Sequence, residues 1–576
     1  MSWLFGVIKS GQNNFSTDKY ENLYPRTLFK LSSQNLYIAL GGIDETCFHE
    51  VQSESKEVGW AVLGLGIRVT DSSARILSKN DWNKIFSSGN IQADTLDGHF
   101  VALRWKKDEL ELYTDQLGLR TVYYGKCDAG ICISTRLDWV AKTTKQHEIN
   151  QSSLGGRWLL FNQLSYDSCV NGIERLGPSS HAVIKNGNLI KHESHPWISE
   201  FGHDNSQQAK SILESLVHAA TTSDHKVSLG LSGGFDSRTL LSILMDNRNV
   251  CFDVHTFGEP SDPDVRISEN IARELKLKRH YFNEPIPNSE ELISLVTSFA
   301  AQNILVEPVS SILRLRYYSQ QHKNRQMIID GGFGEIARRQ YLNRIVRLGR
   351  SALQKKNVYK IFELIRTSRA DIFNLEYLKE LETAACQSLG KTLHAMPSVN
   401  EIGIENFVDL LSVRTRVPNF GEPEQTRSDT CVVNFMPMVQ PSFLRAVFKT
   451  DLKWRRNGRF YKGIIQEKER RLKKYPLVKS GTTYPFGLPL PASWFVTKFK
   501  NKISKPYVDT MPDRFLLQLK DFVLDLAHSG EVRNWPGYNQ NKILYSIDAY
   551  YKGDSHLRST VNWWLTFELW KQSISH

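Results

Sequence analysis

The chain is expected to fold as an α+β sandwich followed by an α/β domain with a parallel sheet and a mostly helical C-terminal part. Three features predict this. Over the first ~195 residues, short apolar runs are broken by Gly, Asn and Asp, the pattern of antiparallel strands joined by turns. From about residue 206, strand-like runs alternate with helix-spaced ones, which implies a parallel, doubly wound sheet. Beyond about residue 340 the spacing is mainly helical, with basic stretches. A chain of 576 residues is too long for a single core.

In order along the chain, NLYIAL (35–40), FVALRW (100–105), LELYTD (110–115) and HAVIKNG (181–187) read as strands. Asp97-Gly98 and Asn186-Gly187 are turn signals of the hairpin kind. Trp197 to Gln207 is polar and contains glycine, so it reads as a linker between domains at 1–195 and 206–576. Residues 206–222 place Ile212, Leu213, Leu216 and Val217 at helical spacing. A strand over Lys226–Leu231 runs into a glycine turn and a helix from Ser237. VCFDVHTFG (250–258) reads as a strand, 264–276 as a helix and MIIDGG (327–332) as a further strand ending in glycines.

Composition narrows the class. With 40% apolar and 23% charged residues the chain is an ordinary folded protein. A net charge of +12 suits anionic partners, nucleotides and acidic metabolites among them. The basic segment Lys449–Lys479 has Glu467 and Glu469 interspersed and reads as solvated helix faces, so nucleic acid is not the expected partner. Seven scattered cysteines without a CxxC pair suggest neither a disulfide framework nor a zinc site. No apolar run reaches membrane-spanning length, and the N-terminus lacks a basic segment before its apolar residues. A cytoplasmic protein with no membrane insertion is expected.

The most informative segment is KVSLGLSGGFDSRTLLSIL (226–244). A strand enters Ser232-Gly233-Gly234-Phe235-Asp236-Ser237, and a helix begins there. Glycines admit close approach of an anion, and a helix N-terminus turns free N–H groups toward it. Ser232 and Ser237 add hydroxyl donors. Asp236 would repel phosphate unless a cation stood between them, so it reads as a Mg²⁺ ligand. The Walker spacing and its lysine are absent. A glycine-rich turn without a ligand is the competing reading.

Strand-SGGxDS-helix resembles the PP-loop of the N-type ATP pyrophosphatases, and more of the chain resembles their asparagine synthetase branch. His255-Thr256-Phe257-Gly258 is similar to that family's second strand. Asp264, the helix SENIARELKL (268–277) and His280 resemble the stretch that follows it. Asp330-Gly331-Gly332-Phe333-Gly334-Glu335 falls where the family has SGxGxDE, and YPLVKSGTTYPFG (475–487) where it has a catalytic lysine. The resemblance implies ATP and Mg²⁺. Leu231, Phe257, Gly258, Asp330 and Gly331 would frame the nucleoside, Ser232, Gly233, Gly234 and Ser237 the pyrophosphate, and Asp236 and Glu335 the metal. Lys479 would steady charge near the acyl-adenylate. By the residues alone, Glu335 also reads as a helix-start acid and Lys479 as a surface lysine. The family's second glycine is Phe333 here, and the acid after the metal ligand is Ile336.

In the first domain, LDGHFVAL (96–103), YTDQLGLRTVYYG (113–125), ICISTRLDWV (131–140) and NGIERLGPSSHAVI (171–184) resemble strands of the class II glutamine amidotransferase fold, of NTN hydrolase type. That family's cysteine after the initiator Met is Ser2 here, a weaker nucleophile even if its own amine activated it. Glutaminase activity is not expected. The architecture implied is also that of β-lactam synthetases and lasso-peptide cyclases. The expected function is a ligase that adenylates a small-molecule or peptide carboxylate and transfers the acyl group to an amine or ammonia. Three other readings stand beside it: asparagine synthesis from aspartate with ammonia or glutamine; a different PP-loop enzyme such as a tRNA-modifying thiolase, against which the amidotransferase-like half and the lack of paired cysteines argue; and a nucleotide-binding pseudoenzyme serving as a partner subunit. A homodimer is compatible with the ligase reading.

Overall fold

The computed structural model describes residues 2–10, 18–52, 56–70, 73–89, 91–223, 225–247, 250–479, 481–503 and 506–575. Its N-terminal part is built on two antiparallel sheets. One has the order Ile173–Arg175, Tyr123–Cys127, Gly130–Ser134, Trp3–Lys9, Leu36–Gly41, Phe29–Ser32. The other runs Asn188–Glu193, His181–Lys185, Glu109–Thr114, Asp97–Lys106, Val58–Val69, Cys47–Val51, with Ala74–Ile76 paired to Val58–Val69. Strand alternation sorts the side chains. Leu4 and Ile8 meet Leu63, Leu103 and Leu112 between the sheets. Trp3, Phe5 and Val7 point the other way, onto helices Leu137–Thr144 and Gln151–Leu159. Helix Lys79–Ser87, started by a Ser78–Asp81 capping box, seats Trp82 and Phe86 on the outer face of the second sheet. The layers are therefore helix, sheet, sheet, helix.

The C-terminal part carries a five-stranded sheet, all parallel, in the order Arg279–Phe282, Phe252–Phe257, Lys226–Gly230, Gln326–Ile329, Val433–Phe435. The earliest strand in sequence is central. The chain builds outward on one side, then returns to build on the other. The order thus reverses between Lys226–Gly230 and Gln326–Ile329, the position where open α/β sheets form a crevice beyond their C-terminal strand ends. Beyond the sheet the chain is mostly helical, with long helices at Leu375–His394, Val399–Arg416 and Arg558–Ser575. No described helix is long and apolar enough to cross a membrane.

Several expectations are corrected. Asp97-Gly98 is not a hairpin turn: it opens strand Asp97–Lys106, where Gly98 faces Gly66. The Asp97 carboxylate accepts the Ser442 N–H across the molecule at 3.1 Å, and that distant partner overrides the dipeptide's turn preference. Asn186-Gly187 does turn a hairpin, with both residues at positive φ (49° and 69°). In ICISTRLDWV only the first part is strand, and Leu137 starts a helix. NGIERLGPSSHAVI divides between the two sheets. The stretch Trp197–Gln207 is docked: Trp197 is buried against Phe448, and its carbonyl accepts from Arg414 at 2.9 Å. One apolar cluster runs across the expected domain boundary, joining Trp3, Trp139 and Trp158 to Leu381, Leu565 and Trp570.

Candidate functional site

The two loops leaving the central strands meet at the topological switch. Residues 231–234 lead into helix Phe235–Asp246. The other loop begins at Asp330, because the strand ends at Ile329. Leu231 is buried; its N–H donates to the His255 carbonyl and its own carbonyl accepts from the Thr256 hydroxyl. It frames the site with backbone rather than side chain. The Gly233 N–H donates to the Asp264 carboxylate at 2.6 Å, so this loop N–H already holds an anion of the protein's own. Burial is the main influence raising Asp264 above the usual carboxylate range. The Gly234 N–H donates to Ser232 Oγ at 3.2 Å, and Ser232 and Ser237 hydroxyls lie 3.0 Å apart. The Asp330 Oδ1 accepts the Gly332 N–H at 2.9 Å, which folds the second loop. A Cβ on Gly331 would stand 2.9 Å from Asp236 Cβ, so the loops touch only because glycine is there.

Asp236 and Glu335 do not form a joint cation site. Asp236 gives both oxygens to one guanidinium, Arg338 Nε at 2.9 Å and Nη2 at 2.7 Å. Glu335 lies 3.5 Å from Arg416 instead. Among the described residues, no three His, Cys, Asp or Glu side chains gather as a metal cage. Magnesium needs near-octahedral oxygen donors at about 2.0–2.1 Å, and the carboxylate expected to lead that set is occupied on both oxygens. The residues as arranged do not fit the ion.

A short hairpin, Leu477–Lys479 with Thr482–Tyr484, leans on the first loop. The Val478 N–H bonds the Gly233 carbonyl at 3.1 Å, which places Lys479 next to the loop with its side chain exposed. Arg238 makes the connection. It is fully buried and donates to the carbonyls of Tyr475 (2.8 Å), Gly233 (3.2 Å) and Pro476. Burial lowers its guanidinium to about 10, still cationic at neutral pH.

On the far side of the first loop, Phe257 stacks on Tyr317 at 6.3 Å and Tyr317 on Phe282 at 5.2 Å, an aromatic column suited to a planar base. Gly258 closes that edge at φ 130°, its carbonyl bonded by the Tyr281 hydroxyl at 2.9 Å. Near Asp330 lies a charged cluster in which Glu307 accepts from Arg314 and Arg427, each at 2.9 Å. Burial, then Glu307 and Asp330, push Glu424 up to about 7.

Arg338, Arg238 and Glu424 escaped the sequence reading. Arg238 directly follows the SGGFDS segment and Arg338 opens an Arg-Arg pair three residues past Glu335. An arginine so close to a glycine loop is the available signal.

The N-terminal Ser2 is fully buried, and Met1 lies outside the described residues. Its hydroxyl bonds Thr46, and its carbonyl accepts from Arg120 Nη2 at 2.6 Å. Arg120 also holds Asp429 at 2.8 Å, with both side chains at 0% exposure. His99 and Gln425 complete the cluster around that carboxylate, at 3.4 and 2.9 Å. Asp115 shapes the loop that delivers Arg120, accepting the N–H groups of Leu117, Leu119 and Arg120.

No protein-family model matches the chain, and no curated protein matches it. Among solved structures, the allosteric regulatory enzyme of purine biosynthesis shows 11% identity over 61% of this chain and 72% of that one, with a TM-score of 0.19. At that score the likeness carries no weight for fold or function.

Proposed function

We propose that the protein is an ATP-dependent carbon–nitrogen ligase of the asparagine synthetase type. The observation that carries the reading is the pairing of the Ser232–Ser237 loop with the Asp330–Gly334 loop at the switch point of a parallel sheet. In this reading a substrate carboxylate oxygen attacks the α-phosphorus of ATP and pyrophosphate leaves. An amine then attacks the acyl carbon, loses a proton and expels AMP. Ser232, Gly233, Gly234 and Ser237 hold the pyrophosphate, which displaces Asp264 from the Gly233 N–H. Phe257, Gly258, Asp330, Gly331 and the Leu231 backbone frame the nucleoside. Lys479 brings a cation to the charge developing on the adenylate. No step is assigned to Mg²⁺.

Burial of Ser2 under Asp429 supports an amine supplied from outside the N-terminal half, which serves as scaffold. The partner-subunit reading has one observation in its favour, the engagement of Asp236 and Glu335 by arginines. ATP–pyrophosphate exchange with pools of carboxylates and amines tests the proposal, beside a Ser232→Ala/Ser237→Ala variant. Exchange that depends on one carboxylate and disappears in the variant is the expected result. ATP binding with no exchange in any pool would overturn the ligase in favour of the partner subunit.

A further inference from the structure

Asp236 sits in the first turn of helix Phe235–Asp246, with the second loop folded over it. A Cβ on Gly334 would stand 2.5 Å from Asp236 Cγ, so backbone encloses the carboxylate from that side. The open side is filled by Arg338, just past the short helix Gly334–Ala337. The contact is a fork on a fork, with two parallel N–H to oxygen bonds at 2.9 and 2.7 Å. This is the strongest geometry available to a carboxylate and an arginine. Both side chains are mostly enclosed, at 16% and 18% exposure, where solvent screens them little.

Glu335 lies beside a different arginine. Arg416, within 3.5 Å of it, lies over the rings of Phe420 at 4.2 Å and Tyr341 at 4.6 Å. The two acids that would have to converge on a cation thus face two different guanidiniums, Asp236 in a hydrogen-bonded fork and Glu335 across 3.5 Å.

Arg338 offers something in return. Of the five N–H donors of a guanidinium, two go to Asp236. The remaining three find no protein partner among the described residues. A fixed, pre-oriented cation with free donors, beside a helix N-terminus and two glycine loops, meets the requirement that a phosphate chain places on a metal ion: neutralisation of Asp236 and a positive contact for oxygen anions.

We propose that Arg338, anchored by Asp236, is the built-in cation of this site, so that a pyrophosphate-bearing nucleotide binds without a divalent ion at Asp236. The inference rests on the nucleotide reading above.

Isothermal titration of the full-length protein with ATP, and separately with inorganic pyrophosphate, is done in Mg²⁺ and in EDTA. Melting temperature is recorded for every variant. Wild-type affinities within about threefold of each other in the two buffers are expected, since the protein's own cation does the neutralising. Arg338→Ala is expected to weaken binding by at least about tenfold in EDTA. Arg338→Lys, which keeps the charge but cannot span both oxygens, should fall between. ATP that binds only with Mg²⁺ overturns this inference and leaves the nucleotide reading standing. So does Arg338→Ala that melts like wild type and binds as tightly in EDTA. ATP that binds in neither buffer overturns the nucleotide reading, and this inference with it.

Discussion

Replacing Arg120 with Met should cost more than any surface change, and the size of the effect reports how the two halves of the protein melt. Arg120 and Asp429 are both at 0% exposure, 2.8 Å apart. The variant leaves the Asp429 carboxylate buried with only Gln425 at 2.9 Å and His99 at 3.4 Å. Breaking a buried ion pair by removing one partner costs about 3–5 kcal/mol, because the remaining charge loses its compensation. Unfolding entropy is about 2.1 cal/mol/K per residue. If all 576 residues melt together, that is about 1.2 kcal/mol/K, and a loss of about 4 kcal/mol lowers Tm by about 3 °C. If a unit of about 195 residues melts alone, the same loss lowers it by about 10 °C. Differential scanning calorimetry at one scan rate separates the cases, and the continuous apolar cluster favours the smaller shift. Arg120→Met/Asp429→Leu should recover at least half of the loss, since an apolar pair needs no solvation. A single variant melting within 1 °C of wild type, or a double variant no better than the single, would refute the reasoning.

Arg238→Met removes three donations to the carbonyls of Gly233, Tyr475 and Pro476; hydrogen exchange over residues 475–484 should accelerate, with a stability loss of about 2–4 kcal/mol. Gly331→Ala drives a methyl to 2.9 Å from Asp236 and should weaken ATP binding by about tenfold or more, whereas Gly463→Ala, with nothing within 4 Å on helix Arg459–Lys468, should be neutral or stabilise by up to about 1 kcal/mol; calorimetric titration and melting curves check both. Burial lowers His255 to about 3, so the unfolded chain takes up a proton between about pH 6.5 and 3 that the folded one refuses. Its contribution is complete above about pH 6.5 and is lost on acidification by about 1.4 kcal/mol per pH unit. The stability difference between wild type and His255→Asn should therefore shrink from pH 7 to pH 5 in urea titrations, and a constant difference would exclude this role.

The elements that carry their own periodicity were legible. The strand and helix around 226–246 fall within one or two residues of expectation, because alternating apolar residues and a glycine break leave few other solutions. Asn186-Gly187 was legible for the same local reason. What failed depends on partners far along the chain. Asp97-Gly98 is held straight by Ser442 and Gln440, over 340 residues away. Arg338 takes Asp236 across 102 positions, and no local pattern announces it. Spacing placed Glu335 beside a loop but could not say which way it would turn, and it lies toward Arg416, 81 positions away. The hairpin that carries Lys479 leans on the Gly233 loop through Arg238, a residue hidden in a segment read only for its glycines.

The apolar cluster that runs from Trp3 and Trp158 to Leu565 and Trp570 bears on why the N-terminal half persists at all. A domain joined only by a tether can be removed without uncovering a core. This one cannot, because cutting at Trp197–Gln207 would strip the covering from helices Leu375–His394 and Arg558–Ser575 and leave their tryptophans and leucines facing water. Burial of those residues needs the N-terminal half in place, whatever reaction is or is not performed near Ser2. Attempts to express the C-terminal half by itself should meet aggregation first, and the interface would have to be redesigned before its activity could be studied in isolation.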